Sequence, residues 1–202
     1  GAIMGDWLNW AGNVGASGVT ESCAEDTAEV AEVVATAHKA GRRVRPQGSG
    51  HSFSDIAAPV DGLVDVAGLT GVVGHDPANG RAWVRAGTVL RDLSQYLWSR
   101  GLAMPNLGDF DGQTLAGALN TGTHGTGLQL AGLSAMVRGV ELVTGSGQVV
   151  RLDEHHRPEL VPAVALGLGA LGVVTEYELQ CVPAFLLQAE EHPASLDEVL
   201  AT

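Results

Sequence analysis

Three glycine-rich loops constrain what this chain can fold into, because each lies next to a short apolar segment. They cover residues 48–55 (GSGHSFSD), 120–127 (NTGTHGTG) and 167–175 (GLGALGVVT), and we call them the first, second and third glycine loops. Glycine allows sharp turns and lets backbone N–H groups approach a ligand closely, and consecutive N–H groups bind anions. Three such loops in one chain predict a site for a large phosphate-bearing ligand, since a dinucleotide touches several loops at once.

Two common nucleotide-binding motifs do not account for these loops. None of the loops is a GxGxxG motif that follows a first strand, so the sequence does not support a Rossmann site. None of them reads GxxxxGK[ST], so a P-loop ATPase is not supported either. The loops therefore predict a different kind of phosphate site.

Charge, length and cysteine content narrow the class of protein. A length of 202 residues predicts one large domain or two small ones, and 45% hydrophobic residues are sufficient for an ordinary core. The net charge of −12 argues against nucleic-acid binding and against an anionic membrane surface. No run reaches the ~18 apolar residues of a membrane span, and no secretory leader is expected. Cys23 and Cys181 are expected to be buried free thiols, which fits a cytoplasmic setting.

Hydrophobic periodicity predicts an α+β chain with mixed sheets and flanking helices. Asp26 is a candidate N-cap for the first helix, and the hairpins turn at residues 76–80 and 145–147. Helices are predicted at residues 27–40, 90–99, 114–119 and 159–165. Strands are predicted at residues 43–47, 63–66, 71–74, 81–86, 137–144, 148–152 and 173–182.

The motifs resemble those of the vanillyl-alcohol-oxidase flavoproteins, which carry a PCMH-type FAD-binding domain. The resemblance rests on VRPQGSGHSFSD, NLGDFDGQTLAGALNTGTHGTG and GALGVVTEYEL in this order, and on WLNWAGN near the start. The subgroup that looks most similar contains the L-gulono-1,4-lactone, D-arabinono-1,4-lactone and alditol oxidases. The resemblance implies a domain over residues 4–190, with two small α/β subdomains at about 4–60 and 61–190. It makes residues 191–202 the start of a connection to a C-terminal substrate domain, and residues 1–3 are set aside as a tag remnant.

The resemblance also implies which residues bind the cofactor, FAD. In this family the histidine of the GHS loop is bonded to the 8α carbon of the flavin, and the matching residue is His51. No metal site is expected, because His155 and His156 lie in a polar loop. The other residues implied in cofactor binding are Pro46, Gln47, Gly48, Ser49, Gly50, Ser52, Gly108, Asp109, Thr114, Gly117, Thr121, Gly122, Thr123, His124, Gly125, Gly127, Gly172, Val173 and Val174.

By this resemblance the chain is the FAD-binding half of an enzyme that oxidises a CH–OH group of a sugar lactone or alditol. Hydride passes to flavin N5, and the catalytic base is expected in an absent C-terminal domain or a partner chain. Gly108 stands where a small residue is associated with oxygen as the electron acceptor. Asp109 departs from the serine of alditol oxidases. A non-catalytic flavin-binding module and an FAD/NADPH reductase of the same fold are the alternatives. The four tryptophans are expected to be core or packing residues.

Overall fold

The chain folds into two β-sheets and a short strand pair in a computed structural model that describes residues 2–201. The strands in chain order are β1 (Ala2–Leu8), β2 (Gly15–Cys23), β3 (Val44–Gln47), β4 (Gly62–Asp65), β5 (Val72–Asp76), β6 (Arg81–Arg85), β7 (Leu102–Ala103), β8 (Val137–Val143), β9 (Val149–Leu152), β10 (Val173–Gln180) and β11 (Val182–Pro183). The helices are α1 (Thr27–Lys39), α2 (Leu90–Trp98), α3 (Leu115–Asn120), α4 (Val161–Ala165) and α5 (Leu196–Leu200). Short 3-10 turns precede β8 and α4.

The two sheets have different topologies. The first has the strand order β1-β2-β4-β3, in which β1 and β2 are antiparallel while β2 and β3 both run parallel to β4. The second has the order β5-β6-β10-β8-β9 and is antiparallel throughout. Strands β7 and β11 form a separate antiparallel pair. The predicted mixed α+β architecture is therefore confirmed.

Helix α1 shows how local sequence determines an element that packs against both sheets. The Asp26 carboxylate accepts a hydrogen bond from the Glu29 amide at 2.8 Å, which caps the first turn. Gly41 follows the helix with φ +66°, a conformation that favours glycine. The buried residues Val30 and Val34 lie one helical turn apart and belong to the main core. The predicted cap, helix and stop signal are confirmed.

The main core is shared between the sheets. It contains buried residues from α1, β4 and the second sheet, including Val64 and the fully buried Tyr177. A smaller core, formed by Trp7, Val19 and Leu63, lies within the first sheet. The two sheets approach each other closely at Gly87, which follows β6. A Cβ at this position would overlap the carbonyl oxygen of Val66, which follows β4. This contact leaves no room for any other residue type and fixes β4 against the second sheet.

The N-terminal region differs from the sequence predictions. Strands β1 and β2 were not predicted, and β1 begins at Ala2, within the residues set aside as a tag remnant. The first sheet continues through β4, beyond the subdomain boundary expected near residue 60. Among the described residues, no helix is long and apolar enough to cross a membrane.

The tryptophans and cysteines follow the sequence predictions only in part. Trp7 is buried as expected, whereas Trp10 and Trp98 are 65% and 54% exposed. Both cysteines are free, but only Cys181 is buried, and the prediction of a buried Cys23 was wrong. Cys23 is the last residue of β2, at the exposed side of the first sheet.

The two thiols should therefore differ in reactivity. Burial raises the pKa of the Cys181 thiol to about 11, so this group stays protonated and shielded at pH 8. At pH 8 the native chain should react rapidly at one thiol only, as measured with a disulfide dye, and Cys23→Ser should remove that phase. The thiolate fraction of Cys181 should grow as the pH rises toward 11. Unfolding in urea should expose both thiols; equal rates in the native chain at pH 8 would contradict the burial.

Candidate functional site

A cleft of about 220 Å³ opens where β3, α3 and β10 meet. The first glycine loop, which follows β3, forms one wall, and the third glycine loop, which precedes β10, forms another. Many predicted site residues line it together: Pro46, Gln47, Gly48, Ser49, Gly50, His51, Ser52, Thr114, Gly117, Thr121, Gly172 and Val174. The structure thus assembles residues far apart in sequence into one concave surface, as a ligand site requires.

The first glycine loop lines this cleft with residues whose backbone N–H groups are not used in hydrogen bonds within the described chain. Among residues 2–201, no acceptor is hydrogen-bonded to the amide N–H groups of residues 48–52. Gly50 has φ +67°, and a Cβ at Gly48 would overlap the Thr114 hydroxyl. That hydroxyl accepts a hydrogen bond from the Gly117 amide and caps α3. Glycine at position 48 therefore lets the loop lie directly against the start of α3, with its N–H groups available to an anion.

An N-terminal turn between β1 and β2 holds the same loop from its other side. The amide of the buried Asn9 side chain donates to the carbonyl of Ser52 at 2.9 Å, and its oxygen accepts from the backbone amides of Asn13 and Val14. The Trp10 amide donates to the carbonyl of Gly50 at 2.9 Å. Because both contacts end on loop carbonyls, they orient the loop without using its N–H groups.

His51 lies among aromatic rings at the edge of the cleft. Its ring centroid is 4.9 Å from that of Trp10, with 25° between the planes, and 4.8 Å from that of Phe110, with 49°. Within the described part of the chain, neither ring nitrogen of His51 has a hydrogen-bond partner. The imidazole is therefore in contact with two aromatic rings and is not fixed by a hydrogen bond within residues 2–201, so both nitrogens are available for chemistry.

The third glycine loop is held in a strained conformation by a small polar network. Leu168 has φ +54°, a left-handed conformation that costs on the order of 1 kcal/mol in a non-glycine residue. Its carbonyl accepts from the Arg45 guanidinium at 3.4 Å. The Asn120 side chain accepts from the Gly169 amide and donates to the Tyr177 hydroxyl at 2.8 Å. Burial raises the pKa of Tyr177, against the smaller opposing effect of this hydrogen bond, so the phenol stays neutral.

Charge in the cleft is sparse. Arg45 is the one permanently charged side chain among the described residues that line it, and no carboxylate lines it. Apolar surface comes from Ile56, Val66 and Val174. A chain with net charge −12 thus keeps its carboxylates off this surface. The cleft combines backbone donors, one cation and apolar patches, which suits a ligand with both a pyrophosphate and flat rings.

The other predicted site residues lie outside the cleft lining. They are Gly108, Asp109, Gly122, Thr123, His124, Gly125, Gly127 and Val173. Two of their segments pack on each other: a Cβ at Gly108 would meet the Thr123 side chain at 3.1 Å, and one at Gly125 would overlap the Leu107 carbonyl. Val173 is buried in β10, beside the cleft residue Val174. Their role at the site stays a prediction.

The sequence predictions missed several residues that line the cleft. Asn120 and Gly169 lie in loops that were singled out, so their positions carried a usable signal. The glycine loops and the family motifs also contain Arg45, Gln113, Ala116, Leu168 and Tyr177, whereas no local motif marks Ile56, Ala57 or Val66. Trp10 and Phe110 were missed as neighbours of His51 because residues distant in sequence form that contact.

Potential metal ligands occur away from these loops. Glu21, Cys23 and Asp65 place their ligand atoms within 4.8 Å of one another, at the ends of β2 and β4. Glu21 and Cys23 are exposed, and exposed acidic groups of this kind are common without an ion. His155 and His156 lie in an exposed loop, where the Asp153 carboxylate accepts hydrogen bonds from both of their amides. This arrangement fits the predicted solvated loop.

The chain is similar in sequence to proteins named as sugar-lactone dehydrogenases and oxidases. The chain is 40% identical over 196 residues to an L-gulono-1,4-lactone dehydrogenase of Mycobacterium tuberculosis, covering 96% of this chain and 45% of the relative. It is 35% identical to an L-gulonolactone oxidase of Bos taurus, covering 95% of this chain and 44% of the relative. The chain therefore spans less than half the length of these relatives.

Structural comparison supports the predicted fold. The crystal structure of cholesterol oxidase from B. sterolicum superposes with a TM-score of 0.78 at 18% identity, covering 91% of this chain and 38% of that one. At this identity the likeness establishes the fold alone.

Residues 22–153 match the family described as FAD binding domain, and this range includes the first and second glycine loops. The chain belongs to this family of FAD-binding domains.

Proposed function

We propose that this chain is the FAD-binding part of a flavin-dependent oxidoreductase that oxidises a CH–OH group of a sugar lactone. The observation that carries the proposal is the first glycine loop, whose residues 48–52 all line the cleft. Among residues 2–201, no acceptor is bonded to their amide N–H groups or to either ring nitrogen of His51. The names of the two sequence relatives supply the substrate class, a 1,4-lactone of a sugar acid.

The residues present fit FAD. The N–H groups of residues 48–52 would bind the pyrophosphate oxygens, and the Ser49 and Ser52 hydroxyls add further donors. Val66 and Val174 offer apolar surface to flat rings, and Gly172 lets the start of β10 pack against the Val143 carbonyl, where a Cβ would overlap. When bound, FAD supplies the hydride-accepting chemistry. The chain's own contribution is to hold the cofactor and keep carboxylates away from its phosphates.

We further propose that His51 attaches the flavin covalently at its 8α carbon. The N–C bond would replace one ring N–H of His51 and one C–H of the flavin 8-methyl group. The two protons and two electrons lost would go to molecular oxygen, giving hydrogen peroxide. Among residues 2–201, neither ring nitrogen of His51 has a hydrogen-bond partner, so either one is available for this bond. A covalent link also separates this assignment from a reductase of the same fold that holds FAD without one.

The position of Gly108 supports oxygen as the electron acceptor, since the resemblance associates a small residue there with oxidases. The names of the relatives include both an oxidase and a dehydrogenase. Gly108 is half-buried against the Thr123 side chain, so a larger residue would have to displace its neighbour. The names of these relatives favour sugar lactones over alditols as substrates. Asp109 favours them too, because the resemblance places a serine there in alditol oxidases.

A methyl group at position 48 should abolish tight cofactor binding. In Gly48→Ala the new Cβ overlaps the Thr114 hydroxyl, so either the loop or the α3 cap must move. The dissociation constant for FAD, measured by fluorescence titration of cofactor-free protein in the His51→Ala background, should rise at least about tenfold. Gly145→Ala is the matched control, because nothing lies within 4 Å of its Cβ. Unchanged affinity in a folded Gly48→Ala chain would contradict the proposed pyrophosphate site.

His51→Ala should eliminate covalent attachment while leaving FAD binding measurable. After acid denaturation the parent chain should keep its yellow colour in the precipitate, and the variant should release it to the supernatant. His155→Ala is the control, since His155 is an exposed histidine in a loop away from the cleft. Attached flavin in His51→Ala would show that another residue makes the link. Complete release from the parent chain would favour the reductase alternative.

The lactone activity can be tested in a chimaera. In the chimaera, this chain replaces the matching residues of the Mycobacterium tuberculosis relative, and the rest of the relative is kept. The chimaera should oxidise L-gulono-1,4-lactone, because it combines the flavin site of this chain with the remaining part of the relative. Turnover is followed with a dye acceptor and by oxygen uptake, which separates dehydrogenase from oxidase. The chain alone should show little turnover. A folded, FAD-loaded chimaera without activity would contradict the proposed function.

A further inference from the structure

An unusual group of exposed aromatic side chains surrounds His51. Phe53 and Phe110 are 68% and 49% exposed, and Trp10 lies between these values. None of the three belongs to either hydrophobic core. Trp10 nevertheless contacts both His51 and Phe53, and Phe110 contacts His51 as well. Burial does not account for the positions of these side chains, whereas the contacts of Trp10 and Phe110 with one imidazole account for two of them.

The ring contacts of His51 restrict its orientation. The indole of Trp10 stacks nearly parallel to the imidazole, and Phe110 meets it at a tilt. Offset and tilted ring pairs at these separations are attractive and directional. Since no hydrogen bond holds either nitrogen within residues 2–201, these two rings are the main restraint on the imidazole plane.

Both aromatic residues are themselves anchored. The Trp10 amide bonds to the Gly50 carbonyl, one residue before the histidine. Next to Phe110, the Asp111 carbonyl accepts from the Arg91 amide at 3.0 Å, and its carboxylate pairs with the Arg91 guanidinium at 2.7 Å. The restraint on His51 therefore comes from two segments that backbone hydrogen bonds hold in place. The N-terminal turn is bonded to the first glycine loop, and the segment that contains Phe110 is bonded to the start of α2.

We propose that Trp10 and Phe110 are positioning residues that orient the His51 imidazole for covalent attachment of the flavin. This inference rests on the proposed link at His51. Neither residue lines the cleft, so they act through His51 and not through the surface that binds the cofactor. An imidazole held in one plane spends more of its time in the geometry that bond formation needs, which raises the rate of attachment without changing FAD affinity.

The test measures attachment and binding separately. Cofactor-free chain, produced in a riboflavin-starved host, is mixed with FAD, and acid-stable flavin is followed over time. Trp10→Leu should attach flavin about tenfold more slowly, Phe110→Leu should show a smaller loss, and Trp10→Phe should restore most of the rate. Trp98→Leu, a similarly exposed tryptophan at the end of α2, should behave as the parent.

The affinity for FAD is measured in variants that lack His51 and therefore cannot form the proposed covalent bond. His51→Ala and His51→Ala/Trp10→Leu should have equal dissociation constants for FAD, and Trp10→Leu should melt within a few degrees of the parent. An unchanged attachment rate in Trp10→Leu would overturn the inference and leave the link at His51 standing. Slower attachment matched by weaker FAD binding in the double variant would also overturn it, in favour of a structural role. If the parent chain attaches no flavin, the link and the inference fail together.

Discussion

The parallel pairing of β3 with β4 determines where every other part of the site can lie. Gln47 pairs with Asp65 at the end of this ladder, and the Val66 amide donates to the Gln47 carbonyl at 2.9 Å. The first glycine loop therefore leaves the sheet at a fixed point. Just beyond β4, the close approach of Val66 to Gly87 ties the same ladder to the second sheet. One strand thus sets the position of the loop relative to α3 and β10, whose residues complete the cleft.

This arrangement explains how a strongly acidic chain can hold a phosphate-bearing cofactor. Lysine is nearly absent from the sequence, and the cleft carries one arginine, Arg45, whose guanidinium is engaged with the Leu168 carbonyl. In the proposed pyrophosphate site, backbone N–H groups supply the attraction instead, because their dipoles are fixed in direction and cost no side-chain entropy. The glycines are needed for this purpose at Gly48, where any Cβ would push the loop away from α3.

Most elements could be predicted from sequence because their signals are local. The Asp26 cap, the stop at Gly41 and the two hairpin turns are each encoded within a few residues, and the structure confirms them. Strand β1 lacked such a signal, since Ile3 and Met4 are exposed on an edge strand and show no alternating pattern. The contact between Trp10 and His51 joins two loops 41 residues apart, and only the three-dimensional fold reveals it.

The segment from Asn106 to Thr114 links two parts of the site that the structure separates. At one end, Gly108 packs with the second glycine loop, outside the cleft lining. In the middle, Phe110 contacts His51, and the Gly112 carbonyl accepts from the Ser49 hydroxyl at 3.3 Å. At the other end, Thr114 caps α3 and lines the cleft. A displacement of this segment would therefore move both Thr114, in the proposed cofactor cleft, and Gly108, which the resemblance associates with the electron acceptor.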